Sequence, residues 1–176
     1  MTSTKTLKLV TSALLAALTC IATMVIQVPT PATSGYIHLG DGFVILSGIL
    51  LGPAYGSLAA GIGSLLADLL TGYAIYAPIT FVIKALAAFF ASIIFTALQK
   101  KGKKSSIFSS ILGGIFAALI VAFGYFIAEA TILGYGLAAA ASIPHNLVQG
   151  SFGILISAIL YKAISRIPLI RSMLAV

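Results

Sequence analysis

Long apolar runs, separated by short polar or glycine–proline breaks, occupy most of the chain. Residues 7–28 form the first run, about 33 Å long as a helix and enough to cross the hydrocarbon of a bilayer. Pro29, Pro31, Gly35 and the hydroxyl residues among them then read as a loop. A second run covers 39–52 and ends at Gly52-Pro53, a third covers 54–71, and a fourth covers 78–99 from Pro78. After a basic turn come a fifth run at 107–128 and a sixth at 143–164. The pattern predicts an all-α membrane protein of six transmembrane helices forming a single integral membrane domain over residues 1–176. The second run is the weakest, because its helix reaches only about 20 Å.

Composition supports this reading. Hydrophobic residues make up 60% of 176 positions and charged residues 7%, whereas soluble domains carry about 25% charge. So few charges cannot cover a soluble surface, so the apolar exterior faces lipid.

The net charge of +7 does not form a nucleic-acid-binding patch. Lys5 and Lys8 precede the first run, Lys100, Lys101, Lys103 and Lys104 sit mid-chain, and Lys162, Arg166 and Arg171 lie near the end. These are cytoplasmic flanks under the positive-inside rule. Six crossings put all three clusters inside and five would put one outside, so the short second run is counted as spanning. Both termini are then cytoplasmic, with loops 29–38, 71–77 and 129–142 outside.

Several chemistries are excluded. Cys20 is the single cysteine, so no intramolecular disulfide forms. No phosphate-binding loop, His-Glu-x-x-His or Gly-x-Ser-x-Gly motif occurs, which argues against an enzyme and against any bound cofactor. Gly61-Ile62-Gly63-Ser64 lies mid-membrane without a preceding strand, so it is packing rather than a dinucleotide site. His38 and His145 are too far apart in sequence to make a convincing metal site.

Outside the basic clusters, the ionisable residues are His38, Asp41, Asp68, Lys84, Glu129 and His145, all in the outer half of this topology. Ionisable groups in lipid face a bundle interior or a watery cavity, so their convergence marks a site. Lys84 and Asp68 are read as an ion pair between neighbouring helices, with either one also open to a ligand. Tyr125 and Glu129 share a helix face, as do Asn146 and Gln149. The latter amides suit the edge of a polar heterocycle or, alternatively, hold helices together. Asp41 near a helix start also favours the dipole, and His38 is read either as a ligand contact or as a solvated loop residue. Ala13 and Ala17, joined by Ala16, make a small-residue face on the first helix for another helix to approach.

Tyr36-Ile37-His38-Leu39-Gly40-Asp41, Leu51-Gly52-Pro53-Ala54-Tyr55-Gly56 and Ala67-Asp68-Leu69-Leu70-Thr71-Gly72-Tyr73 together resemble the S components of energy-coupling factor transporters. Gly124-Tyr125-Phe126-Ile127-Ala128-Glu129 and Pro144-His145-Asn146-Leu147-Val148-Gln149 are similar too, so the likeness spans nearly the whole chain. The resemblance implies a six-helix, multi-pass subunit of a prokaryotic plasma membrane that binds one vitamin in an outward-facing pocket. It also implies docking through the alanine face of the first helix, Ala13 and Ala17, onto a membrane coupling subunit carrying two ATPases. Within the family, the likeness is to the pyridoxine and hydroxymethylpyrimidine members of the riboflavin-type subgroup, with riboflavin, pantothenate and thiamin as further candidates. Mapped onto this sequence, it implies pocket contacts at His38, Glu129, Asn146 and Gln149, with Asp41 and Lys84 added. The chain has no tryptophan, so Tyr36, Tyr73, Tyr76 or Tyr125 has to stack on an aromatic ligand. The competing expectation is a self-sufficient proton- or ion-coupled carrier using Asp68, Lys84 and Glu129, which calls for titratable groups through the full membrane depth.

Overall fold

A computed structural model of the chain describes residues 4–29, 36–100, 105–168 and 170. Pro31, Gly35, Lys101, Lys103, Lys104 and Arg171, which carried part of the loop and charge reading, lie outside the described residues. The elements run α1 (Thr4–Val25), β1 (Gln27–Pro29), β2 (Tyr36–His38), α2 (Asp41–Leu70), α3 (Ala77–Lys100), α4 (Ser106–Thr131), a 3-10 helix (Gly136–Ala141) and α5 (Ser142–Ile164). Among the described residues, five helices are long and apolar enough to cross a membrane, rather than the six expected.

The difference lies in α2, which takes in the expected second and third helices. Helical hydrogen bonding is assigned on both sides of Gly52, but Gly52 itself has φ 82° and ψ 177°, a conformation open essentially to glycine alone. Pro53 follows, removing a backbone donor at the break. The bend is a full reversal. Asp41 and Asp68 are 27 residues apart, about 40 Å along a straight helix, yet both sit around the cavity described below. A side chain at Gly56 would strike the backbone of Ser47 and Gly48, so the two arms of α2 lie against each other.

Boundaries elsewhere shift for local reasons. The first helix stops at Val25 instead of residue 28, because Gln27, Val28 and Pro29 pair antiparallel with His38, Ile37 and Tyr36. Pro29 closes that short ladder, having no N–H to extend it. The fifth expected helix begins at Ser106, where the Ser105 hydroxyl accepts from Phe108 N at 3.2 Å as an N-terminal cap.

Close packing rests on small residues, as expected where lipid gives helices no hydrophobic reason to associate. Gly48 on α2 lies on the Ala88 backbone of α3, and Gly63 lies on the Ala16 backbone of α1. Ala87, Ala88 and Ala91 are completely buried with Leu46 and Ala60 in the centre of the bundle, while Leu58, Val82, Phe123 and Ile159 face outward.

Two substitutions separate backbone from packing. Gly52→Ala meets no atom of the described residues within 4 Å but forces alanine into the glycine region, for an expected loss of about 1–3 kcal/mol. Gly48→Ala drives a methyl group into the Ala88 backbone, with a similar loss of about 1–3 kcal/mol. Thermal unfolding of the purified variants checks both; a melting temperature unchanged by Gly48→Ala contradicts the close approach of α2 and α3.

Candidate functional site

Three helices bring polar residues to one end of the bundle at helical spacing. Tyr76, just before α3, and Thr80 and Lys84 in its first turns recur every four residues, and Tyr125 and Glu129 do so near the end of α4. On α5, Ser142, Asn146, Gln149 and Gly153 form one stripe. The reversal of α2 adds Asp41 from its first turn and Asp68 from its last, and β2 crosses over them with Tyr36 and His38.

The deepest layer is an ion pair. Lys84 Nζ lies 2.5 Å from Asp41 Oδ1, and the two side chains are 0% and 3% exposed. Two such charges persist out of water only when their remaining valences are met. Asp41 Oδ2 accepts from Gln149 Nε2 at 2.8 Å, and Lys84 Nζ lies 5.4 Å from the centroid of the Tyr125 ring. Gln149 Oε1 in turn accepts from the backbone N–H of His38 at 2.8 Å, tying α5 to β2. The approach of α5 depends on Gly153, where a side chain would collide with the Asp41 Cβ. The sequence reading paired Lys84 with Asp68; the partner is Asp41, because the folding-back of α2 sets its first turn beside α3.

Above this layer lies a cavity of about 30 Å³, lined by Tyr36, His38, Asp68, Tyr76, Thr80, Tyr125, Glu129, Ser142, Asn146 and Gln149. That volume holds about two waters. Tyr36 Oη donates to Asp68 Oδ1 at 2.7 Å, Tyr76 Oη donates to Glu129 Oε1 at 3.3 Å, and the Thr80 and Tyr125 hydroxyls are 2.9 Å apart. Asp68 Oδ2 and Glu129 Oε2 are buried with no hydrogen-bond partner among the described residues.

Of the predicted site residues, His38, Tyr125, Glu129, Asn146 and Gln149 line this cavity together. Asp41 and Lys84 lie beneath its wall, and Tyr73 packs its ring against Tyr36 at a tilt of 51°, with ring centroids 4.5 Å apart. His145 sits apart, with Nδ1 2.7 Å from the Ala141 carbonyl one turn back. Thr80 and Ser142 were not foreseen; their four-residue spacing from Lys84 and Asn146 was the available signal. Ala13 and Ala17 are exposed on α1, whereas Ala16 turns inward to meet Gly63.

His38 is no solvated loop residue. It is 8% exposed, and its Nδ1 accepts from Gly40 N at 3.0 Å, which requires an unprotonated nitrogen there. Burial, with the Lys84 charge nearby, pushes its pKa down to about 3, against a smaller opposing pull from Asp41. The imidazole is therefore neutral at physiological pH. Burial and the bond to Asp68 push the Tyr36 phenol well above its usual range.

A lipid-embedded helical bundle with a buried polar cavity at its end is a membrane protein of the small-molecule-binding class. The profile of the ECF-type riboflavin transporter S component matches residues 3–166. The chain belongs to this family: it is a substrate-binding subunit of an ECF-type vitamin transporter and not an enzyme. A Pyrococcus woesei protein, described only as an uncharacterized protein in a gap 3' region, is 32% identical over 136 residues, covering 77% of this chain and 86% of its own length. Among solved structures, the S component of a bacterial ECF transporter superposes with a TM-score of 0.69 at 20% identity, covering 92% of this chain and 96% of its own. The biotin S component of an ECF-type ABC transporter superposes with a TM-score of 0.57, also at 20% identity, covering 92% and 95%. At that identity these two establish the shared fold alone.

The His38 geometry has a pH consequence. In the unfolded chain His38 takes up a proton near 6.5, and in the folded chain only near 3. Between those values the unfolded state binds more protons, so this contribution to stability is complete above pH 6.5 and declines as pH falls toward 3. The expected slope is up to about 1.4 kcal/mol per pH unit. His38→Asn, whose side-chain oxygen can replace Nδ1 as acceptor for Gly40 N, should flatten the pH profile of thermal stability in that window. Parallel profiles for the parent and the variant contradict a buried neutral His38.

Proposed function

We propose that this chain is the high-affinity binding subunit for a small nitrogen heterocycle of the pyridoxine or hydroxymethylpyrimidine type. Riboflavin, thiamin and pantothenate follow as weaker candidates. The observation that carries this reading is the cavity wall, where the Asn146 and Gln149 amides, the Glu129 carboxyl and the Tyr36, Tyr76 and Tyr125 rings meet around one buried space. Amides and carboxyl groups recognise ring nitrogens and hydroxymethyl groups through hydrogen bonds, while flat rings supply stacking area. In its present state the cavity is too small for such a ligand. Admission therefore requires β2, which carries Tyr36 and His38 over the cavity, to move outward.

The rest of the assignment follows the family. The chain is one integral membrane domain with both termini in the cytoplasm, since its basic clusters flank one side. On this reading the two arms of α2, reversed at Gly52, each make a passage, and the chain then crosses six times. The exposed Ala13–Ala17 face of α1 is the docking face for a membrane coupling subunit that carries two ATPases.

A thermal-shift screen of the purified chain against B-group vitamins and their precursors tests the binding role. The true ligand, at 1,000 times its dissociation constant, should stabilise by about 4 kcal/mol. Failure of every compound to stabilise folded, ligand-free protein overturns the assignment. Ala13→Trp should abolish uptake by cells carrying the complete transporter and leave ligand binding by the isolated chain intact; normal uptake contradicts the docking role.

A further inference from the structure

We propose that the cavity is built for an organic cation, a small molecule that binds with a proton or a fixed positive charge on nitrogen. This rests on the reading of the chain as a substrate-binding subunit and narrows its substrate class by charge.

Two buried carboxyl groups face the cavity half-satisfied. Asp68 is 4% exposed and Glu129 is 2% exposed. Each receives one tyrosine hydroxyl on one oxygen, from Tyr36 and Tyr76 respectively, and the second oxygen of each has no hydrogen-bond partner among the described residues. Buried polar atoms are nearly always paired, so two orphaned acceptors in one cavity wall point to donors that arrive with a ligand.

The described wall of the cavity offers them no cation in direct contact. Among the described residues no lysine or arginine lines the cavity, and the nearby buried cation, Lys84, is held by Asp41. His38, the remaining basic group in the wall, is neutral at physiological pH. Lys84 and Asp41 cancel each other, so the acidic character of the wall is left for the ligand to balance. The same wall presents Tyr36, Tyr76 and Tyr125, whose ring faces attract cations. A neutral ligand would supply hydrogen bonds but leave the carboxyl groups without a counter-charge, and an anionic one would be repelled. Pyridine and aminopyrimidine rings meet the requirement when protonated on a ring nitrogen, as do primary amines and quaternary thiazolium rings.

Isothermal titration of the full chain in detergent tests this with ligands sorted by charge. The protonable or cationic set is pyridoxine, hydroxymethylpyrimidine, pyridoxamine and thiamin; riboflavin is neutral, and biotin and pantothenate are anionic. The tightest ligand should come from the first set. Its matched analogue, with C–H or hydroxyl in place of the charged nitrogen, should bind at least tenfold more weakly. Glu129→Gln and Asp68→Asn should each weaken the parent ligand at least tenfold, while the ligand-free variants melt no lower than the parent protein. Tightest binding of riboflavin, biotin or pantothenate overturns the charge assignment and leaves the binding role standing, as does unchanged affinity in both variants. If no compound binds to folded protein, the binding role itself fails, and the charge assignment with it.

Discussion

The buried Lys84–Asp41 pair is the constraint on which the rest of the site depends. Removing two charges from water costs several kcal/mol for each ion, so a pair at 0% and 3% exposure survives only with its surroundings arranged to complete it. That requirement fixes the positions of five elements. Lys84 belongs to α3 and Asp41 to the first turn of α2, while Gln149 brings α5 onto the second carboxylate oxygen. Through its own oxygen, Gln149 then holds the His38 backbone and with it β2. Tyr125 adds α4 through the face of its ring. Gly153 and the doubled α2 make the arrangement sterically feasible, because the first allows α5 to approach and the second returns the chain to the same end.

A network satisfied within itself has a functional consequence. Lys84 is spent on Asp41, so the groups left facing the cavity are two half-paired carboxyl groups, amides and phenols. The site is therefore layered. A charged, paired floor holds the helices, and the upper wall above it is incompletely bonded. The short β1–β2 ladder closes the top with little pairing of its own. A two-stranded hairpin is marginal in isolation, which suits the outward movement proposed for β2. The self-sufficient carrier finds no support in this layout, because the ionisable side chains cluster at one end instead of tracing a path through the bundle.

Much of this was legible in the sequence. Run lengths and the Gly52-Pro53 break located the helical segments to within a few residues, and helical spacing grouped Tyr125 with Glu129 and Asn146 with Gln149. The β1–β2 ladder was not legible, since Val25, Ile26 and Val28 extend an apolar run that reads equally well as helix. The partner of Lys84 was not legible either. Spacing relates residues within one helix, and the choice between Asp41 and Asp68 depends on how α2 folds back across α3. His38 was ambiguous for the same reason, because only the cover supplied by Gln149 and Gly40 distinguishes a buried imidazole from a solvated one.

The most direct test of the account is a double-mutant cycle on the floor of the site, read as the unfolding stability of Asp41→Asn, Lys84→Met and their combination. Each single change leaves one buried charge without its partner, with an expected loss of about 3–5 kcal/mol. The double variant removes both charges and should recover most of that loss, for a coupling of about 2 kcal/mol or more. Losses that simply add would show that the two side chains do not depend on each other, and would contradict the ion pair as the foundation of the site.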